Sequence, residues 1–154
     1  NKEFIRIKIK DLINSLNNKY KSSLKYLKEG IYDVSDDLLA ILFLEKLLKE
    51  NMPKLSIESL HNYGFVKELK KILKNKFDIV YVDVPRNLRI LRNAENMSIS
   101  YEESEDRIYK KDKVKEKRGA HKIRDIADIV IDNSDKFEYS KRNLDNYLSQ
   151  NEIF

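Results

Sequence analysis

The sequence predicts an α/β protein with a mainly parallel sheet, arranged as three α/β/α layers. Short runs rich in β-branched residues alternate along the chain with longer segments in which apolar residues recur every three or four positions. One run, residues 79–84, is interrupted only by Asp83, which is typical of a strand buried on both faces of a parallel sheet. Together these patterns favour one domain, residues 1–154, since 154 residues can bury a sizeable core.

Each predicted element rests on a local pattern. Alternating or continuous apolar runs predict the four strands, at residues 4–9, 54–60, 77–84 and 128–132. Apolar spacings of three and four predict the helices, at residues 12–27, 35–48, 61–75, 87–95, 101–118, 120–127 and 136–149. Ser35 is a good N-cap and Gly119 a good helix breaker, while residues 93–100 are predicted as a polar loop and 133–135 as a turn.

Composition narrows the class of protein. The chain is 41% hydrophobic and 37% charged, which fits a folded globular protein. No apolar run approaches the roughly 20 residues of a membrane span, and no secretory signal heads the chain. The absence of cysteine excludes disulfides and thiolate metal sites, and the two histidines, His61 and His121, are too few for most zinc sites. We therefore expect a cytoplasmic protein without a protein metal centre and without a membrane partner.

The net charge of +5 permits an anionic ligand or a nucleic acid as a partner. Lysines are scattered beside glutamates and aspartates along every predicted helix, which is typical of an ordinary solvated surface. A nucleic-acid-binding protein that uses the lysine-rich residues 110–124 is therefore only a weaker alternative.

An anion site is predicted where the strand at 77–84 ends. Pro85 stops the strand, and Arg86, Arg89 and Arg92 follow on the next predicted helix. Ligands of parallel sheets bind beyond the carboxyl ends of the strands, so these cations lie where an anion is expected. The densely charged residues 93–119 that come next are either a solvated, ion-paired helix or a mobile lid that closes on a charged ligand.

Several motifs resemble those of the P-loop kinases of the nucleotide kinase group, above all the dephospho-CoA kinases. The first is residues 57–64 (IESLHNYG), and the second is the strand and proline at 80–85 (VYVDVP) with the arginines after it. A charged lid around Arg107 and the Lys111-Asp112 pair follows, and residues 127–133 (ADIVIDN) precede the last helix. Each motif is short, and their order and spacing agree with those of the family over about nine-tenths of the chain.

This resemblance implies ATP-dependent phosphoryl transfer to a nucleotide or a dephospho-CoA-like acceptor, with ATP and Mg²⁺ as cofactors. It also implies roles for individual residues: for catalysis Glu58, Arg89 and Arg92; for nucleotide binding Arg107, Lys111, Asn133 and Ser134; and for acceptor binding Asp11 and His61. Glu58 would be the general base or a magnesium contact, the two arginines would meet the donor phosphates, and Asn133 and Ser134 would lie near adenine.

Two departures from the family pattern support an alternative. The chain holds no Gly-rich phosphate loop, which in the family follows the central first strand and would here precede Asn1. Ser59 and His61 stand where the family has glycine and arginine. We expect an upstream segment to supply the loop and strand; otherwise a partner protein supplies a strand, or residues 54–60 pair with 78–84 directly. The alternative function is a catalytically degenerate pseudokinase that senses nucleotides or acts as a scaffold.

Overall fold

A computed structural model describes residues 4–9, 35–49 and 55–151 of the chain. It is an α/β protein in which helices predominate and short parallel strands form two small sheets, so the predicted class is confirmed. The chain divides into two compact units, Asn1–Phe77 and Asp78–Phe154, which we call unit 1 and unit 2. No helix among the described residues is long and apolar enough to cross a membrane.

Unit 1 contains two strands and two helices in the described ranges. They are β1 (Ile5–Lys8), α1 (Asp36–Lys49), β2 (Leu55–Glu58) and α2 (Tyr63–Leu73), followed by a 3₁₀ turn at Lys74–Lys76. The strands pair in parallel, with Ile5 opposite Leu55 and Lys8 opposite Glu58. The helix predicted at residues 12–27 lies outside the described residues.

The core of unit 1 lies between its sheet and its two helices. Phe43 of α1 and Phe65 of α2 are fully buried and meet edge to face, with their ring centroids 5.7 Å apart. Leu69 is buried with them, and Ile7 and Ile57, on one face of the two strands, pack against this cluster. The alternating apolar pattern of these two segments predicted strands with one apolar face, and in the structure that face of each strand packs against the core.

The start of α2 differs from the prediction by two residues. β2 ends at Glu58, because the next residue, Ser59, has φ 64°, a left-handed conformation that does not continue a strand. Asn62 is the N-cap of α2, and its Oδ1 accepts a hydrogen bond from Phe65 N at 3.2 Å. His61, which was predicted to be helical, consequently lies in the connection between β2 and α2.

Unit 2 contains two strands and four helices within the described residues. In chain order these are β3 (Val80–Asp83), α3 (Arg86–Met97), α4 (Tyr101–Lys117), α5 (Ala120–Ile123), a 3₁₀ turn at Arg124–Ile126, β4 (Ile129–Asp132) and α6 (Phe137–Gln150). β3 and β4 pair in parallel with Val80 opposite Ile129. The hydrogen-bonded strand pairs of the described residues are thus β1–β2 and β3–β4, and the direct pairing of 54–60 with 78–84 is not one of them.

The polar loop predicted at residues 93–100 is wrong for its first half. α3 continues to Met97 and ends at Ser98, whose φ of 52° is the left-handed conformation common after a helix. Asn93, which the polar pattern assigned to the loop, instead faces α4 and donates a hydrogen bond to Ser104. Ser100 then caps α4, since its Oγ accepts from Glu103 N at 3.1 Å. The connection is three residues long, and it makes α3 and α4 a tight helical hairpin.

Candidate functional site

The candidate site lies at the carboxyl ends of β3 and β4 in unit 2. Asp83 and Asp132 end these strands and are neighbours in the parallel register. Pro85, two residues after the end of β3, is the N-cap residue of α3, a place that its fixed φ favours. Arg124 approaches the same strand end, with its Nε 3.4 Å from Asp83 Oδ2. Charged residues therefore converge at the edge of the sheet where α/β proteins bind ligands.

Arg89, which was predicted to be catalytic, joins α3 to α4 through a two-pronged ion pair. Its Nη1 and Nη2 donate to the two carboxylate oxygens of Asp112 at 2.7 and 2.8 Å. About a third of each side chain is exposed (32% for both), so the pair is partly shielded from water. Hydrogen bonding to Arg89 lowers the pKa of Asp112, and the same contact raises the pKa of Arg89. Asp112 therefore holds the position that an anionic ligand of Arg89 would take.

Arg92 lies one helical turn further along α3 and contacts the loop between β4 and α6. Its Nη1 donates to the carbonyl oxygen of Asn133 at 2.8 Å, and its Nη2 donates to that of Asp135 at 3.2 Å. The structure thus brings together Arg92 and Asn133, two of the residues that the sequence assigned to one nucleotide site. It does so through the main chain of the loop, so Arg92 also fixes the loop's shape.

The Asn133–Ser134 loop is held by hydrogen bonds of its own. Asn133 N donates to the Asp83 carbonyl at 2.8 Å, which extends the β3–β4 ladder by one bond. Ser134 donates through both its backbone N, at 2.8 Å, and its hydroxyl to the carboxylate of Asp132. These bonds lower the pKa of Asp132, the hydroxyl bond most strongly. The hydroxyl of buried Ser140 donates to the Asp132 carbonyl at 2.9 Å and ties α6 to the same strand end.

The predicted lid, residues 93–119, consists of the end of α3, the whole of α4 and the turn after it. Arg107 pairs with Glu103 at 2.9 Å along α4, as expected for a solvated, ion-paired helix. Lys111 is exposed. The anchor of the hairpin is Ser104, which is fully buried and whose Oγ donates to the Ile90 carbonyl at 2.7 Å. The ion-paired helix is confirmed, and closure of this segment on a ligand stays a prediction.

Lys115 is a site residue that the sequence analysis missed. Burial lowers its pKa, the nearby carboxylate of Asp112 raises it, and the charges of Arg89 and Lys111 lower it further. Lys115 therefore lies beside the Arg89–Asp112 pair, half-buried on the face of α4 that carries Asp112. The only sequence signal was its i+3 spacing from Asp112, which is common in so charged a segment.

The predicted residues of unit 1 lie at the end of β2. Glu58 pairs across the sheet with Arg6, whose Nη2 donates to Oε2 at 2.8 Å and whose Nε donates to Oε1. The hydrogen bond from Arg6 lowers the pKa of Glu58 and keeps it ionised. His61 is half-buried three residues further on, and Asp11 lies outside the described residues. Within the described ranges, no three His, Cys, Asp or Glu side chains are grouped closely enough to hold a metal ion.

Comparison with known proteins does not assign the chain to a family. Neither a scan against protein-family models nor a search of the curated proteins found a match to the chain.

Proposed function

We propose that this chain belongs to a nucleotide kinase-like P-loop domain that transfers a phosphoryl group from ATP to a nucleotide or a dephospho-CoA-like acceptor. The observation that carries the proposal is the pairing of its strands. In the resembled fold the first strand lies between the strands matched here by β2 and β3. The chain pairs β1 with β2 and β3 with β4, both in parallel, so the described residues give β2 and β3 one neighbour each.

Among the described residues no strand pairs with the edge of β3 that points away from β4, which supports the completion of its sheet by a further strand. Ile79 O and Asp83 O accept hydrogen bonds from Ile129 N and Asn133 N on the β4 side. Because hydrogen-bonding directions alternate along a strand, the backbone groups of Val80 and Val82 point away from β4. Counted as whole residues, Val80 and Val82 are 37% and 53% exposed. We propose that a segment upstream of Asn1, or a strand of a partner protein, pairs with this edge.

The arginines of α3 provide the positive charge that phosphoryl transfer requires. Transfer depends mainly on positioning and on neutralising charge that develops on the phosphoryl oxygens. Arg92 lies against the Asn133 carbonyl, so it joins the proposed phosphate side of the site to the proposed adenine side. Arg89 would exchange its bond to Asp112 for a bond to phosphate when the nucleotide binds.

The described residues do not themselves hold the phosphates of ATP or its Mg²⁺. They include no Gly-rich loop, and no group of three potential metal ligands. The phosphate loop is therefore assigned to the segment that completes the sheet, and the residues present are assigned only the lid and the base-side contacts.

A pseudokinase is the second candidate, and the ion pairs favour it. Arg89 is matched by Asp112, and Arg92 is bound to main-chain carbonyls, so both can serve as structural links. His61 replaces the arginine that the family uses for the acceptor phosphate, and a neutral imidazole is a weaker anion partner. In this alternative the same fold senses a nucleotide or holds a partner without catalysing transfer.

Calorimetric titration of MgATP into the full-length protein separates a kinase-like domain from a scaffold that binds no nucleotide. The kinase-like proposal predicts saturable binding below millimolar nucleotide, and it predicts that Arg92→Ala weakens binding by about tenfold, since a hydrogen bond to a charged group contributes about 1.5–3 kcal/mol. Arg142→Ala, a change on the exposed side of α6 where Arg142 lies over Tyr139, is the control and leaves binding unchanged. Undetectable binding of the wild-type protein at millimolar MgATP would support the scaffold instead.

A further inference from the structure

Positive charge is concentrated on α2 and the turn after it. Residues 67–76 contain five lysines and one acidic residue, Glu68, for a net charge of +4. The whole protein carries a net charge of +5, so this ten-residue segment equals most of it. This segment does not stand out in the sequence, because lysines occur along the whole chain.

Three of these lysines share one face of α2, and a fourth, Lys74, is the C-cap residue at the end of the helix. At about 100° per residue, positions 67, 70 and 71 fall within a sector of about 100°. We call these four residues the lysine face. Three of the four are exposed and Lys70 is half-exposed, while Phe65, Val66 and Leu69 are buried on the opposite side of α2. The lysine face is therefore held towards solvent by the packing of the core.

Two lysines of α4, by comparison, have acidic partners on their own helix. Lys110 pairs with Asp106, and Lys113 pairs with Glu116. On α2, Glu68 is the only acid of the helix and pairs with Lys71 at 3.2 Å. The carboxylate of Asp37 on α1 also faces Lys71: the pKa of Asp37 is lowered mainly by a hydrogen bond from Ser35, and in smaller part by Lys71.

Like charges three and four residues apart destabilise a helix by a few tenths of a kcal/mol for each pair. Within α2 the lysine face contains two such pairs, at 67–70 and 67–71. A polyanion that binds along the face would remove this repulsion and gain attraction at each lysine. The geometry thus favours a ligand with regularly spaced negative charges over a single small anion.

We propose that the lysine face binds the phosphate backbone of nucleic acid without sequence preference. A bilayer surface fits less well, because interfacial helices insert an apolar face, and the apolar face of α2 is buried in the core of unit 1. Lysine supplies point charges for phosphates, and the face contains no arginine, asparagine or glutamine to read base edges. The sequence-based alternative also proposed nucleic acid as the ligand, but it placed the binding site at residues 110–124.

Fluorescence anisotropy with a labelled 20-base-pair duplex of mixed sequence tests the proposal on the full-length protein. Binding through three or four phosphate contacts should weaken by about 40-fold to 150-fold between 50 and 200 mM salt. The test variant carries Lys67→Gln, Lys70→Gln, Lys71→Gln and Lys74→Gln, since glutamine keeps the helix propensity of lysine. The matched control removes the same charge from α4, with Lys110→Gln, Lys111→Gln, Lys113→Gln and Lys117→Gln.

We expect the lysine-face variant to lose at least tenfold in affinity at 50 mM salt and the α4 variant to lose less than twofold. Equal losses in the two variants would overturn the proposal, because net charge alone would then explain binding. Absence of binding by the wild-type protein at 50 mM salt would overturn it as well. Vesicles with 30% phosphatidylserine are the second probe: binding to vesicles and not to DNA, lost in the lysine-face variant, would replace nucleic acid with a membrane surface. Thermal unfolding monitored by circular dichroism shows that both variants are folded.

Discussion

At the residue scale, Gly64 is the position whose chemistry the structure constrains most tightly. A Cβ atom added to Gly64 would lie 1.7 Å from Asp36 Oδ2 and 2.6 Å from its Cγ. The other carboxylate oxygen of Asp36 accepts a hydrogen bond from Asn62 Nδ2 at 2.8 Å. The start of α1 and the start of α2 are thus joined through a carboxylate that has room only because residue 64 is glycine.

Gly64→Ala should therefore destabilise the protein, although alanine is the better helix former by about 1 kcal/mol. We expect the free energy of unfolding to fall by about 1–3 kcal/mol, as for other overpacked sites, when measured by urea denaturation. The same substitution in an Asp36→Ala background removes the clash and should be neutral or stabilising. A stabilising Gly64→Ala in the wild-type background would show that Asp36 does not lie against this turn.

The residue contacts at the candidate site were only partly predictable. The sequence singled out Arg92 and Asn133, and the structure places them in contact. It could not indicate that the contact uses the Asn133 carbonyl, because every residue type has one. Nor could it indicate that Arg89 pairs with Asp112, since many acidic residues on so charged a segment lie within reach of an arginine on the preceding helix.

At the element scale, the α3–α4 hairpin is held by a buried contact and by two ion pairs, of which the more exposed joins Arg86 to Glu105 at 3.1 Å. Ser104 is buried near the connection, where its Oγ donates to the Ile90 carbonyl and accepts from Asn93 Nδ2 at 2.9 Å. Arg89 and Asp112 form the other ion pair, further from the connection. If α4 separates from α3, as a lid would, the Arg89–Asp112 ion pair has to break before the buried Ser104 contact does.

Asp112→Asn tests the strength of this ion pair through its dependence on pH. The pKa of Asp112 is lowered in the folded protein, so ionisation contributes stability above the unfolded pKa of about 3.9 and loses it as the pH falls through the folded value. We expect the wild-type protein to be more stable than the variant by about 1 kcal/mol at pH 7, since the pair is partly exposed. The difference should shrink as the pH falls below about 4.

Urea denaturation of both proteins at pH 3, 5 and 7 gives the comparison. Asp106→Asn is the control, because Asp106 makes a single exposed ion pair within α4 and does not reach α3. A difference between wild type and Asp112→Asn that stays constant from pH 7 to pH 3 would mean that the pair does not stabilise the hairpin electrostatically.

The elements themselves were predicted better than their ends. All four strands were found because β-branched runs are distinctive, although each is shorter than predicted. β2 ends early because Ser59 turns into a left-handed conformation, which serine seldom adopts and the sequence does not signal. α3 runs past its predicted end. The prediction placed a loop there because Asn93, Glu95 and Asn96 are polar, but in the structure they are helical residues.

At the scale of the whole molecule, we propose that further strands complete the two small sheets. The described strands form one parallel pair in each unit, and β3 has one neighbour among the described residues. The sequence could not show that the described strands form two pairs, because pairing depends on which strand lies beside which. The missing phosphate loop led us to expect a missing central strand, and that expectation stays a prediction.

Amide hydrogen exchange along β3, measured by NMR on the chain alone, tests this claim most directly. The amides of Tyr81 and Asp83 point towards β4 in the ladder and should be protected, while those of Val80, Val82 and Val84 point to the opposite edge and should exchange rapidly. We therefore expect protection that alternates along β3. Strong protection of Val80 and Val82 in the chain alone would contradict it, because both edges of β3 would then already be paired.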